Sequence, residues 1–309
     1  MKQILSITFM ICLFVCMLLF PQTVFQGASS GLLLWFNTVL PTLLPFIILS
    51  NLLIRTGAID VISRIISPVL CRLFCVSPFG AFAVLTGFLC GCPMGGKVAA
   101  DLLRERRISE KEGRYLLSFC NNTSPMFIIS YIIWQNLNCT AMTLPLLFLT
   151  LSAPVLLSFL FRRIYRIPPD ICRRVRQESA APAPVLTALD PCIMDGFETI
   201  TRIGGYIILF SICTSLIGQI PCQNALFTSV LLPSLELTTG VTMLCQSELA
   251  QNARIIYALS LAAFGGWCAA AQTRSMVQDA GFPILPYIIE KLATAMVTSL
   301  LIYGYLLLC

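Results

Sequence analysis

The chain has 309 residues, 57% of them hydrophobic and 11% charged, with 20 Lys or Arg, 14 Asp or Glu and no histidine; its mean hydropathy is +0.87. Soluble domains carry roughly a quarter charged residues, so this balance excludes one and demands a polytopic membrane protein. The net charge of +6 does not point to nucleic acid, because the basic residues gather at the ends of apolar runs, where topology puts them. An enzyme is not expected. Without histidine no Ser or Cys nucleophile has its usual imidazole base, and neither a P-loop nor a dinucleotide fingerprint occurs. The 15 cysteines form no C-x-x-C pair and sit mostly in apolar runs, where cysteine packs as a small hydrophobe. No metal or cofactor is therefore expected.

The first apolar run, residues 4–20, is near the ~20 residues that cross a bilayer. One lysine precedes it and no A-x-A-like site follows, so it reads as a membrane helix rather than a cleaved leader. An uncharged outer connection at 21–30 leads to a span at 32–54. Residues 59–74 place Ile62, Ile65, Ile66 and Val69 on one helical side and Asp60, Arg64 and Arg72 elsewhere, a helix lying on the membrane surface. A hydrophobic segment over 79–103 breaks in its middle. Spans follow at 115–134 and 141–161, then a basic loop, a span at 203–220, a mixed stretch at 226–244, a second interrupted segment from Ser260 and a last span at 287–308. The basic clusters after residues 54, 103 and 161 assign those regions to the cytoplasm, and the N-terminus with Lys2 joins them. Pro233 and Glu236 make 226–244 an interfacial or re-entrant element rather than a span.

The order of features repeats, which divides the chain into an N-terminal helix and outer loop (1–30), a first unit (31–135), a linking span with basic loop (136–194) and a second unit (195–309). The number of crossings between the units makes them inverted, an arrangement used for alternating access in many transporters. The expected fold is thus an all-α polytopic membrane protein of two inverted repeats with broken or re-entrant helical hairpins.

A helix can break within lipid only where protein or a cavity covers the freed backbone. In GFLCGCPMGGKVAADLL, Gly91, Pro93, Gly95 and Gly96 mark such a break, although small residues at this spacing also serve close helix packing. A helix restarting near Gly95 points free N–H groups into the break, with Lys97 in its first turn, a combination that attracts an anion. Asp101, one turn on, offers Lys97 an ordinary i,i+4 pair instead. In SFCNNTSP, the residues Asn121, Asn122, Thr123 and Ser124 make either a helix start before Pro125 or an unwound stretch that hydrogen-bonds a polar solute or a coupling H+ or Na+. In the second half Gly265 and Gly266 form another break, and Gln272 follows it as Lys97 follows the first, as a solute ligand or a packing amide. Glu236 is either an ionisable group at membrane depth, a proton or cation site, or an interfacial carboxylate.

The runs GFLCGCPMGGKVAADLL and ISEKEGRYLLSFCNNTSPMFI, with LELTTG and AAFGGWCAAAQ later, resemble the sporulation integral membrane protein YlbJ (SpoVV) family over roughly residues 34–309. Its members carry a duplicated Gate, or nucleoside-recognition, domain. The resemblance implies a protein of the bacterial cell membrane, at the outer forespore membrane of a spore former, that moves dipicolinic acid, a small planar dianion. Members have a longer N-terminal part and often a histidine near the position of Ala270, so proton coupling through that group does not carry over. The expected partners are the lipid bilayer and dipicolinate or a similar anion, with homo-oligomerisation left open. The rival readings are a transporter of nucleosides or another neutral solute and a non-transporting sporulation scaffold acting through its basic loop.

Overall fold

The computed structural model describes residues 2–168, 171, 183–220, 224 and 226–308. Arg173, Arg174, Arg176 and most of the uncharged connection at 221–224 lie outside them. Among the described residues every regular element is helical, as lipid requires of a chain that must satisfy its own backbone. Six stretches of the described residues are long and apolar enough to cross a bilayer: Pro21–Arg55, Glu110–Asn136, Thr140–Ile164, Val185–Ile217, Gln251–Ala280 and Ile284–Leu308.

Helix α1 (Lys2–Leu19) is followed at once by α2 (Pro21–Leu34), a π-helical turn and α3 (Leu40–Arg55). The connection expected over 21–30 is therefore helix, not loop. Pro21 takes a position where its missing N–H costs nothing. The small residues that suggested a loop instead let α2 lie against α10 (Val185–Ile217): a Cβ on Gly27 would stand 2.8 Å from Ser215 Oγ. Trp35 fastens the same contact by donating to the Ile200 carbonyl at 2.9 Å.

Helix α4 (Ile59–Phe74) is amphipathic as expected and meets α5 (Pro78–Cys90) at 86°, the two together apolar enough for one broken span or a re-entrant loop. Ile59, Cys71 and Phe74 are buried, while Val61, Ile65, Val69 and Leu73, four residues apart, face outward as the apolar stripe of an interfacial helix does. Then come α6 (Met94–Arg104), α7 (Glu110–Cys120), the short α8 (Pro125–Phe127) continuing as a π-helix to Asn136, and α9 (Thr143–Ile164). After α10, a π-helical turn Phe227–Leu231 and α11 (Leu237–Gln246) flank a break, each too short to cross a bilayer. Helices α12 (Gln251–Phe264), α13 (Gly266–Val277) and α14 (Ile284–Leu308) complete the chain.

Each half thus reads span, hairpin, broken span, span. The interior lies where the hairpins meet the broken spans, around Met94, Leu102, Tyr115, Leu116 and Phe119 in the first half and Val241, Ile255 and Leu259 with Ile128, Ile132 and Ile133 in the second. Leu144, Phe148, Leu300 and Leu307 face outward from α9 and α14, toward a solvent as apolar as they are.

Candidate functional site

Four breaks in helical backbone converge inside the protein. In the first half, the hairpin α5–α6 turns through Gly91, Cys92 and Pro93, and α7 unwinds over Asn121–Ser124 before α8. Gly91 has φ +87°, a left-handed conformation open to glycine, and a Cβ there would stand 2.7 Å from the Ser124 nitrogen. The two breaks join through main chain, Cys92 N–H donating to the Asn122 carbonyl at 2.6 Å. The second half repeats the device. Trp267 N–H donates to the Ser234 carbonyl at 2.8 Å and Cys268 N–H to Leu235 at 2.9 Å, tying the break at Gly265 and Gly266 to the hairpin tip before α11. The order of features in sequence had suggested that 91–97 corresponds to 265–272. In space the hairpin tip at 91–93 corresponds to 232–236, and the unwound 121–124 to 265–266.

Side chains connect the halves. Thr123 donates through its hydroxyl to the Ala262 carbonyl at 2.7 Å. Asn121 accepts from Gly96 N–H at 3.2 Å and donates to Thr273 Oγ1 at 2.9 Å and Tyr287 Oη at 2.8 Å. Cys92 Sγ lies 3.6 Å from Thr273 Oγ1. Asn122 donates to the Phe119 carbonyl at 2.6 Å, which fixes its amide so that Oδ1 accepts from Lys291 Nζ at 3.0 Å. Ser124 caps α8, its hydroxyl accepting from Phe127 N–H at 3.3 Å. Gly91, Pro93, Gly95, Gly96 and the run 121–124 are thus gathered at one crossing with Thr273, Tyr287 and Lys291.

Three of the residues singled out from sequence point elsewhere. Lys97 is buried, and its ammonium faces away from the break toward Asp101 Oδ2 at 2.9 Å, Asp195 Oδ2 at 3.2 Å and Asn51 Oδ1 at 3.4 Å. Asp101 also pairs with Arg104, and Asn51 donates to Asp195. This cluster walls a cavity of about 300 Å³ lined by Asn51, Ile54, Arg55, Asp101, Arg104, Glu105 and Asp195, where α3, α6 and α10 come together. Glu236 is buried as the N-cap of α11: Oε1 accepts from Thr238 N–H at 3.1 Å and its hydroxyl at 3.0 Å, and Oε2 from Thr239 N–H at 2.8 Å. Gln272 is buried and donates to Cys268 Sγ at 3.3 Å, one turn back on its own helix.

Sequence reading did not single out Lys291, Tyr287 or Thr273. Glu290 and Lys291 stand together in PYIIEKLATAM near the start of a long apolar helix, where a charged pair is ordinary. Their separation was the available signal. Adjacent residues on a helix point about 100° apart, so at least one had to face away from its neighbour. Glu290 meets Tyr165 at 2.5 Å, whereas Lys291 turns to the break.

Residues 36–160 match the family model described as Gate, nucleoside recognition; that span contains the first hairpin, the first broken helix and most of α9. The chain is 26% identical over 305 residues, covering 88% of this chain and 75% of the relative, to the sporulation integral membrane protein YlbJ of Bacillus subtilis (strain 168). No solved structure matches it. The candidate spans, the broken helices and these two likenesses describe a multi-pass membrane protein that carries a Gate segment and is similar to YlbJ.

Proposed function

We propose that the chain is an alternating-access transporter of a small anionic solute, with dipicolinate in a spore-forming cell as the candidate. The observation that carries this reading is the crossing itself: two hairpin tips and two unwound helices, joined by main-chain hydrogen bonds within each half and by Asn121 and Thr123 between halves. Discontinuous helices at such a crossing are where transporters bind solutes. Three candidate spans, an odd number, separate the hairpins, so the hairpins enter from opposite faces. In this proposal the first unit runs from Pro21 through α9 and the second from Val185 through α14, inverted with respect to each other. Each hairpin then gates one side, and the crossing between them is reached from either face in turn.

The anionic character rests on Lys291, a cation at the crossing; the name of the relative supports only a link to sporulation, and dipicolinate is what the family resemblance of the sequence motifs implies. The test is uptake of labelled dipicolinate by liposomes containing the purified protein, with excess unlabelled uridine as competitor. Saturable uptake that uridine leaves unchanged is expected. Competition by uridine would favour a nucleoside carrier, as the Gate description suggests. Absence of uptake under either sign of membrane potential and of pH gradient would remove the reading.

A further inference from the structure

We propose that Lys291 is the solute's charge partner, the group that receives a carboxylate when an organic anion occupies the crossing; this rests on the transporter reading above. Lys291 sits seven residues, roughly 10 Å, into α14 and its residue surface is 2% exposed. Its ammonium has three donors. One goes to Asn122 Oδ1 at 3.0 Å, and among the described residues no carboxylate lies within ion-pair distance. Its sequence neighbour Glu290 is turned away to Tyr165.

The contrast with Lys97 decides between the two buried lysines. Lys97 already has Asp101 and Asp195 within 3.2 Å, so an anion approaching it would meet two like charges. Lys291 has none, and a cation held at membrane depth without a counter-charge marks a place for a ligand to supply it. The adjoining polar groups are the amides of Asn121 and Asn122, the hydroxyls of Thr273 and Tyr287 and the Cys92 thiol. Next to Asn122 and Thr123, and reaching Thr294 one turn beyond Lys291, lies a cavity of about 10 Å³, the size of a water molecule. The proposal requires the crossing to open before a solute reaches Lys291.

The experiment compares uptake kinetics of labelled dipicolinate by proteoliposomes of the full chain and of Lys291→Gln, Lys291→Arg and Asn122→Asp. Loss of one charge-assisted contact should raise the KM of Lys291→Gln by about tenfold or more, with Lys291→Arg retaining most of the affinity. Asn122→Asp keeps the side chain's shape and places a carboxylate on the ammonium; it should raise KM as Lys291→Gln does. The exposed Lys111→Gln, also one positive charge fewer, should leave KM unchanged. A smaller than tenfold change in Lys291→Gln, or in Asn122→Asp where the former does not fold, overturns the proposal. The wild-type protein gives a check that needs no variant: dipicolinate should raise its melting temperature and the neutral pyridine-2,6-dicarboxamide should not, and equal stabilisation by both overturns the proposal too. If the wild-type protein takes up no dipicolinate, the transporter reading falls first and this assignment with it; normal uptake with indifferent variants removes Lys291 alone.

Discussion

Two buried acids illustrate how a side chain at membrane depth can be held by structure rather than by ligand. Glu236 accepts three hydrogen bonds from the first turn of α11, so its carboxylate starts a helix at the tip of the second hairpin. Glu236→Ala should therefore destabilise the protein by about 1–2 kcal/mol, measured as a lower melting temperature in detergent, while Glu236→Gln, which keeps an acceptor, should lose less. If both variants keep their melting temperature but lose solute affinity, the cap account is wrong. Asp101 is held differently, between Lys97 and Arg104. At this scale the sequence was legible where polar residues interrupt an apolar run: Asn121, Asn122, Thr123 and Ser124 stand out before Pro125 because the sequence that follows them is apolar. Lys291 was not legible, since a charged pair near a helix start has an ordinary explanation and only the packing of α14 against the break removes it.

Elements are positioned here by close approach. Gly87 on α5 has no side chain because a Cβ there would stand 2.3 Å from the Cys120 carbonyl, and one on Gly95 of α6 would stand 2.7 Å from the same atom. Both arms of the first hairpin thus rest on the end of α7 where it unwinds. Gly87→Val should force that contact apart, costing about 1–3 kcal/mol, and should reduce the yield of folded protein on size-exclusion chromatography more than the same change at Gly205, where nothing lies within 4 Å. The lysine cluster joins α3, α6 and α10. Lys97→Met leaves Asp101 with Arg104 and Asp195 with Asn51, so it should be tolerated better than the double change Asp101→Asn with Asp195→Asn, which strands a buried ammonium at a cost of about 3–5 kcal/mol; thermal melting in micelles of the two variants decides it. The amphipathic helix 59–74 was legible from its period. The stretch 21–30 was not, because Gly, Ser and Ala signal a loop in water and a packing face in lipid.

For the whole molecule, composition alone indicated the class. Which breaks correspond was hidden, because the second hairpin, 227–246, lacks the glycine and proline density that announces the first and turns instead on Pro233 and the Glu236 cap. The proposed entry of the hairpins from opposite faces makes a direct prediction. In a cysteine-free background, single cysteines at Arg106 and Asp279 should react with a membrane-impermeant maleimide only from the cytoplasmic side, and ones at Asn138 and Glu248 only from the other. Labelling of Arg106 and Glu248 from the same side would rule out inverted units.

The joints at the crossing are made largely of peptide groups: Cys92 to Asn122, Trp267 to Ser234, Cys268 to Leu235. Every amino acid except proline brings the same N–H to such a joint, and every amino acid brings the same carbonyl. Substitution at these positions can therefore alter what lines the crossing while the joints themselves persist. Under the transporter proposal, a lineage of such proteins is free to change its solute by a few side-chain replacements while two descendants with little identity left keep the same joints.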